Sequence, residues 1–206
     1  TFARAWKESD AIIARGRCNR DVLLGTSHLF TRDVFCFWED RGEVRMQLKP
    51  HAPGIRKFSE QALTAKARTI IKSMRASKDS GKAVMFYSCI IGSIPGQTAT
   101  AIKVADTFVR SLRERLDQVF IINPAEYFEP GMDGDDLMFM WEQVQRSGLI
   151  NIWRFQSMED IEASFGLMGL KVPPVWSGKD ATFSTGCTKE MRIALDMQRS
   201  HPELQI

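Results

Sequence analysis

The chain predicts a three-layer α/β fold, with a mostly parallel sheet and an antiparallel extension on its N-terminal side. Three observations lead there. Residues 83–91 form a short, almost wholly apolar run between Gly81 and Gly92, the pattern of a strand covered on both faces. From Thr98 the apolar period lengthens to that of a helix: Ala101, Val104, Ala105, Phe108, Val109 and Leu112 share one side, while Arg110, Arg113, Glu114 and Arg115 project mostly from the other. The strand–helix step then recurs, with 118–122 and 149–155 as further strands. Units of that spacing are those of a Rossmann-like or flavodoxin-like sheet.

Taken in order, residues 1–20 place Phe2, Trp6, Ile12 and Ile13 among charges, which fits a short helix or an ordered arm. Residues 22–24, 34–38 and 44–48 read as successive strands, Phe35, Phe37 and Trp38 being strong strand formers. Glu39-Asp40-Arg41-Gly42 has the composition of a hairpin turn. Residues 1–54 are thus expected to be an arm and antiparallel strands packed on the main domain. Residues 55–206 are expected to be an α/β domain of repeated strand–helix units, with Pro50, Pro53 and Gly54 marking the passage. A helix follows from about Ser59 to Arg75. Lys57, Lys66, Arg68, Lys72, Arg75 and Lys78 make this the most basic part of the chain.

Beyond the central strand and the long helix, Asp135 or Asp136 is placed to cap a helix over 136–146, which Gly148 ends. Ser157 and Asp160 form a capping box ahead of Ile161 and Phe165. Residues 167–172 fit a further strand or an amphipathic turn before Pro173-Pro174 interrupt. Thr185 or Thr188 caps a last helix that runs through Met197.

Composition narrows the class. Hydrophobic residues are 44% and charged residues 26%, as in ordinary globular proteins. A net charge of +3 gives little drive toward nucleic acid or an anionic membrane. Cys18, Cys36, Cys89 and Cys187 are scattered, without a CxxC or Cys/His cluster, and read as free thiols of a reducing compartment. No apolar segment is of bilayer length, and no signal-peptide pattern stands at the start. A cytoplasmic location is the expectation. The start at Thr1, without an initiator methionine, reads either as a piece of a longer protein or as a chain whose disordered ends are missing.

Candidate binding residues lie where strands give way to helices. Gly92, Ser93, Gly96, Gln97 and Thr98 precede or open a helix whose N–H groups and dipole favour an anion. Their spacing is neither GxGxxG nor GxxxxGK[ST], and Thr98 as a cap and Pro95 as a turn residue account for the same pattern structurally. Thr185 and Thr188, with Lys179 and Lys189 nearby, form a second such place. Asn123 opens the acidic loop 123–136, which a parallel sheet puts on the same side as 92–97. Asp133, Asp135 and Asp136 are a weak alternative for a metal, because Leu137 stands where a calcium loop needs its fifth-position ligand. Arg154, at a strand end, is a candidate anion ligand. The Arg15, Arg17 and Arg20 patch reads as a solvated face. His28 has Ser27 beside it, but the chain lacks a GxSxG elbow.

Walker, Rossmann, kinase, hydrolase, deaminase, zinc-finger and helix-turn-helix patterns are all incomplete. The expected function is a non-catalytic regulatory or scaffolding domain of a larger protein. It would bind another protein, another domain of its parent chain, or a small phosphate-bearing ligand such as a nucleotide. The alternative is an enzyme acting on a nucleotide or phosphorylated small molecule through loops 92–98 and 123–136. Nucleic acid binding through the basic helix is disfavoured by the low net charge and the lack of interleaved aromatics.

Overall fold

The computed structural model describes residues 9–26, 30–53, 58–129, 131–132 and 134–206. Phe2, Trp6, Ser27, His28, Gly54, Lys57 and Asp133, which entered the sequence reading, lie outside the described residues. The described residues form β1 (Ala11–Arg15), α1 (Arg17–Gly25), β2 (Asp33–Asp40), β3 (Glu43–Lys49), α2 (Glu60–Asp79), β4 (Ala83–Ser88), α3 (Thr98–Arg113), β5 (Val119–Ile122), α4 (Gly134–Gln145), β6 (Ile152–Phe155), α5 (Met158–Leu167) and α6 (Thr185–Ser200). They divide into two compact units: residues up to 63 with 129–136, and residues 64–128 with 137–206.

The first unit holds a mixed sheet of order β1-β2-β3. β1 runs parallel to β2, and β2 antiparallel to β3. The β2–β3 turn has Arg41 at φ 53° and Gly42 at φ 82°, two left-handed residues in succession, whose twist matches that of the strands. Glu39 Oε1 accepts from Gly42 N at 3.1 Å and closes the turn. Two expectations fail here. Residues 22–24 are helical rather than extended, and part of 1–20 is the strand β1 rather than a helix or arm. The reason is the β1–α1–β2 crossover, which lets Leu23 and Leu24 pack on Ile12, Ala14, Val34 and Cys36.

The second unit is built on a parallel sheet of order β5-β4-β6, with Gln205 bridging in parallel to Ile152. Successive side chains of β4 point to opposite sides. Tyr87 stacks on Phe108 of α3 at 5.5 Å, and Met85 packs with Ala105, Val109 and Leu112. Phe86 turns the other way and meets Trp141 of α4 and Trp153 of β6 edge-on at 5.4 and 5.3 Å. Cover on both sides explains why nearly every residue of β4 is apolar. α3 also meets α5, where Ala101 and Val104 pack with Ile161, Phe165 and Trp176.

Helix ends follow local chemistry. Ser59 Oγ accepts from Ala62 N at 3.2 Å at the start of α2, which runs on to Asp79. The Ser157–Asp160 capping box is present. α6 is capped by Ser184, which accepts from Cys187 N, so neither Thr185 nor Thr188 is the cap. Gln97 is the N-cap of α3 without a side-chain bond, and Thr98 is its first residue. α4 starts at Gly134, which places Asp135 and Asp136 in the first turn, where their charge still suits the dipole. Residues 167–172 form no strand. Leu170 N bonds back to Phe165 O and Gly169 takes φ 70°, a helix stop that turns the chain away. Among the described residues no helix is long and apolar enough to cross a membrane.

Candidate functional site

Parallel strands that end together send their following loops to one side of the sheet. Ser93 Oγ donates to Ser184 Oγ at 2.9 Å, so the loop after β4 and the start of α6 lie together. Trp176 Nε1 donates to Gln97 Oε1 at 3.2 Å, and Ile94 between them is buried. Gly92 and Gly96 are exposed, and φ 70° at Gly96 explains its glycine. Thr98 is half-buried. Asn123 is fully buried: Oδ1 accepts from Ala125 N at 3.1 Å, and Nδ2 donates to Asp106 Oδ1 at 2.6 Å. Burial, partly offset by that bond, raises the pKa of Asp106. Thr188 Oγ1 donates to Ser184 O at 2.9 Å, while Thr185 is exposed.

Arg154 belongs to another cluster. Its guanidinium grips Asp160 at 3.2 and 2.5 Å and lies over the Phe108 ring at 5.4 Å, and Asp160 also accepts from Tyr87 Oη at 3.3 Å. The bond to Asp160 raises the Arg154 pKa, and burial raises that of Tyr87. Asp135 is exposed and Asp136 buried, both in the first unit. The candidates of the second unit therefore form a Ser93–Gln97–Thr188 group and a separate Arg154 group, and the acidic residues Asp135 and Asp136 belong to the first unit. Among the described residues no three His, Cys, Asp or Glu side chains are arranged to hold a metal ion.

A polar core absent from the sequence reading lies between β4, β6, α4 and α6. Trp153 Nε1 donates to Ser88 Oγ at 2.8 Å, the Ser88 hydroxyl lies near Glu190 and favours its charged form, and Gln145 Nε2 donates to Glu190 Oε1 at 2.8 Å. Burial lifts the Glu190 pKa to about 7, against Ser88 and Gln145, which favour its charge. Gln145 Oε1 is buried without a hydrogen-bond partner. Cys187, one turn before Glu190, and Cys89, next to Ser88, have thiol pKa values raised by burial first and by nearby negative charge second. Neither thiol is a nucleophile at neutral pH. Ser88 and Glu190 have the composition of a hydroxyl and its base, but Ser88 is fully buried. Their chemistry holds the sheet to α6. The signal in sequence was spacing: Cys187, Glu190 and Ala194 fall at i, i+3 and i+7, one face of a helix. Beside them lies a mostly apolar cavity of about 390 Å³, lined by Phe155, Ala181, Cys187, Thr188, Met191 and Arg192.

The first unit carries a different feature. β-sheet register puts Ile13, Phe35 and Leu48 side by side, then Phe37 beside Met46, then Glu39 beside Val44, all on one face. The opposite face carries Ile12, Ala14, Val34 and Cys36 and is covered by Leu23 and Leu24. On the first face Ile13 and Val44 are each 77% exposed, Met46 54% and Leu48 42%. Comparison with protein-family models, curated proteins and solved structures gives no match.

Proposed function

We propose that this chain is a non-catalytic interaction domain of a larger protein, docking a protein partner on the open face of its N-terminal sheet. The observation that carries this reading is the row Ile13, Phe35, Leu48, Phe37, Met46 and Val44 on one side of a three-stranded sheet whose other side is covered. Contiguous exposed apolar patches are the usual mark of interaction sites. The internal bonds of Ser93, Gln97, Asn123, Arg154 and Thr188 support it further, since these groups have partners within the chain. We read the second unit as flavodoxin-like, because β5-β4-β6 repeats the 2-1-3 strand order of that fold. A cytoplasmic setting fits Cys36, Cys89 and Cys187, all free and buried.

The test places a photo-crosslinking residue at Ile13 of the full chain in its source cells, with Arg199 as the exposed control. The expected result is a polypeptide adduct at position 13 that disappears with Leu48→Asp on the same face. Equal labelling at 13 and 199 overturns the reading.

A second reading is favoured by the cavity of about 390 Å³ at α6, a volume that suits a small ligand, with Arg192 as a cation for a phosphate group. In that reading the chain is an enzyme acting on a nucleotide or phosphorylated small molecule held in this cavity. Melting temperatures unchanged by nucleotides, sugar phosphates and Mg²⁺ would remove its support.

A further inference from the structure

We infer that the chain pairs with a second copy of itself along β3, antiparallel and centred on Met46, to give a six-stranded sheet. Among the described residues β3 is an edge strand, hydrogen-bonded in its sheet to β2 alone, and all its residues except Lys49 are exposed. Such an edge is a row of unpaired backbone donors and acceptors and a ready template for another strand. A symmetric antiparallel pair keeps both copies of the sheet facing the same way, so only residues of like parity come opposite each other.

Charge then selects the register. Centred on Met46, the pairing sets Glu43 opposite Lys49 of the second copy, Val44 opposite Leu48, Arg45 opposite Gln47, and Met46 opposite Met46. All residues of β3 are paired, and no like charges stand opposite each other. A shift one way sets Arg45 against Arg45, and a shift the other way sets Arg45 against Lys49. Either is destabilising, because directly opposed side chains sit within about 5 Å. Arg45 is already held by its own Glu43 at 2.7 Å, so Glu43 sits between Arg45 and the incoming lysine. Lys49 Nζ donates to Leu23 O and Thr26 O at 3.2 and 2.6 Å, which fixes its position, and its ammonium carries a third N–H. The other edge, β1, has no such match: centred on Ile13 it sets Arg15 against Ala11.

This inference deepens the interaction-domain reading, since pairing doubles the apolar face to span both copies, but it is tested at a different place. Sedimentation velocity on the full 206-residue chain is expected to show a concentration-dependent dimer. Met46→Lys and Met46→Glu should each weaken the dimer, with dissociation constants raised on the order of 5-fold by two like charges at the two-fold axis. Mixed in equal amounts, the two variants should recover a heterodimer, because unlike charges then meet. Unchanged circular dichroism and melting would show that both variants fold. A monomeric wild type, a dimer that neither substitution weakens, or a mixture that associates no more tightly than either variant alone overturns the β3 pairing. The Ile13 crosslink is read independently: an adduct there with a monomeric wild type keeps the docking face and removes the dimer, and a β3 dimer without that adduct does the reverse.

Discussion

Glu190→Gln tests the buried core directly. Between the ordinary glutamate value of 4.5 and about 7, the folded chain holds a proton on Glu190 that the unfolded chain has released. The group's contribution to stability is therefore complete below pH 4.5 and is lost as pH rises through about 7. At ~1.4 kcal/mol per pH unit, the interval corresponds to a loss of ~3 kcal/mol by pH 8. Glutamine is the neutral isostere. Its carbonyl accepts from Gln145 Nε2 as Glu190 Oε1 does now, while its amide supplies protons in place of the carboxylic acid. Urea unfolding followed by tryptophan fluorescence at pH 5, 6, 7 and 8 measures the difference, Trp153 reporting through Ser88. The variant should match wild type near pH 5 and exceed it by ~2–3 kcal/mol at pH 8. Other carboxylates, Asp106 among them, titrate in both proteins and cancel in the difference. A difference that stays constant from pH 5 to 8 refutes a neutral Glu190.

Three further outcomes follow from named bonds. Ser157→Ala removes the acceptor for Asp160 N at 3.2 Å and should cost about 1 kcal/mol by chemical denaturation, with Ser157→Gly costing less. Asn123→Ala strips partners from the backbone at Ala125 and from Asp106 and should cost about 1–3 kcal/mol, read the same way. Iodoacetamide at pH 8 should label Cys18, which is exposed, while Cys36, Cys89 and Cys187 react only after unfolding; mass spectrometry of the labelled peptides distinguishes them.

Legibility varied with how local the deciding physics was. The α3 stripe, the Ser157 cap and the β2–β3 turn depend on residues within one turn of each other, and sequence carried them. β1 and α1 did not read correctly, because α1 has no side-chain cap and no acidic first turn, and three apolar residues in succession at 22–24 resemble a strand. Only the crossover back to β2 decides their state. The same distinction governs the candidate sites. Ser93, Gln97 and Arg154 are, by side-chain type, able to hold an anion. Their partners Ser184, Trp176 and Asp160 lie 91, 79 and 6 residues away, so the two long-range ties could not be read from spacing. Glu190 is illegible in sequence for the converse reason. Its charge argued for the surface, whereas its place between Cys187 and Ala194 on one helix face argued for the core, and packing on β4 made the core position prevail at the cost of a raised pKa. The open face of the first sheet combines both problems. Val44, Met46 and Leu48 alternate visibly along one strand, but their exposure depends on which side α1 covers, and that side was fixed by the helix the sequence concealed.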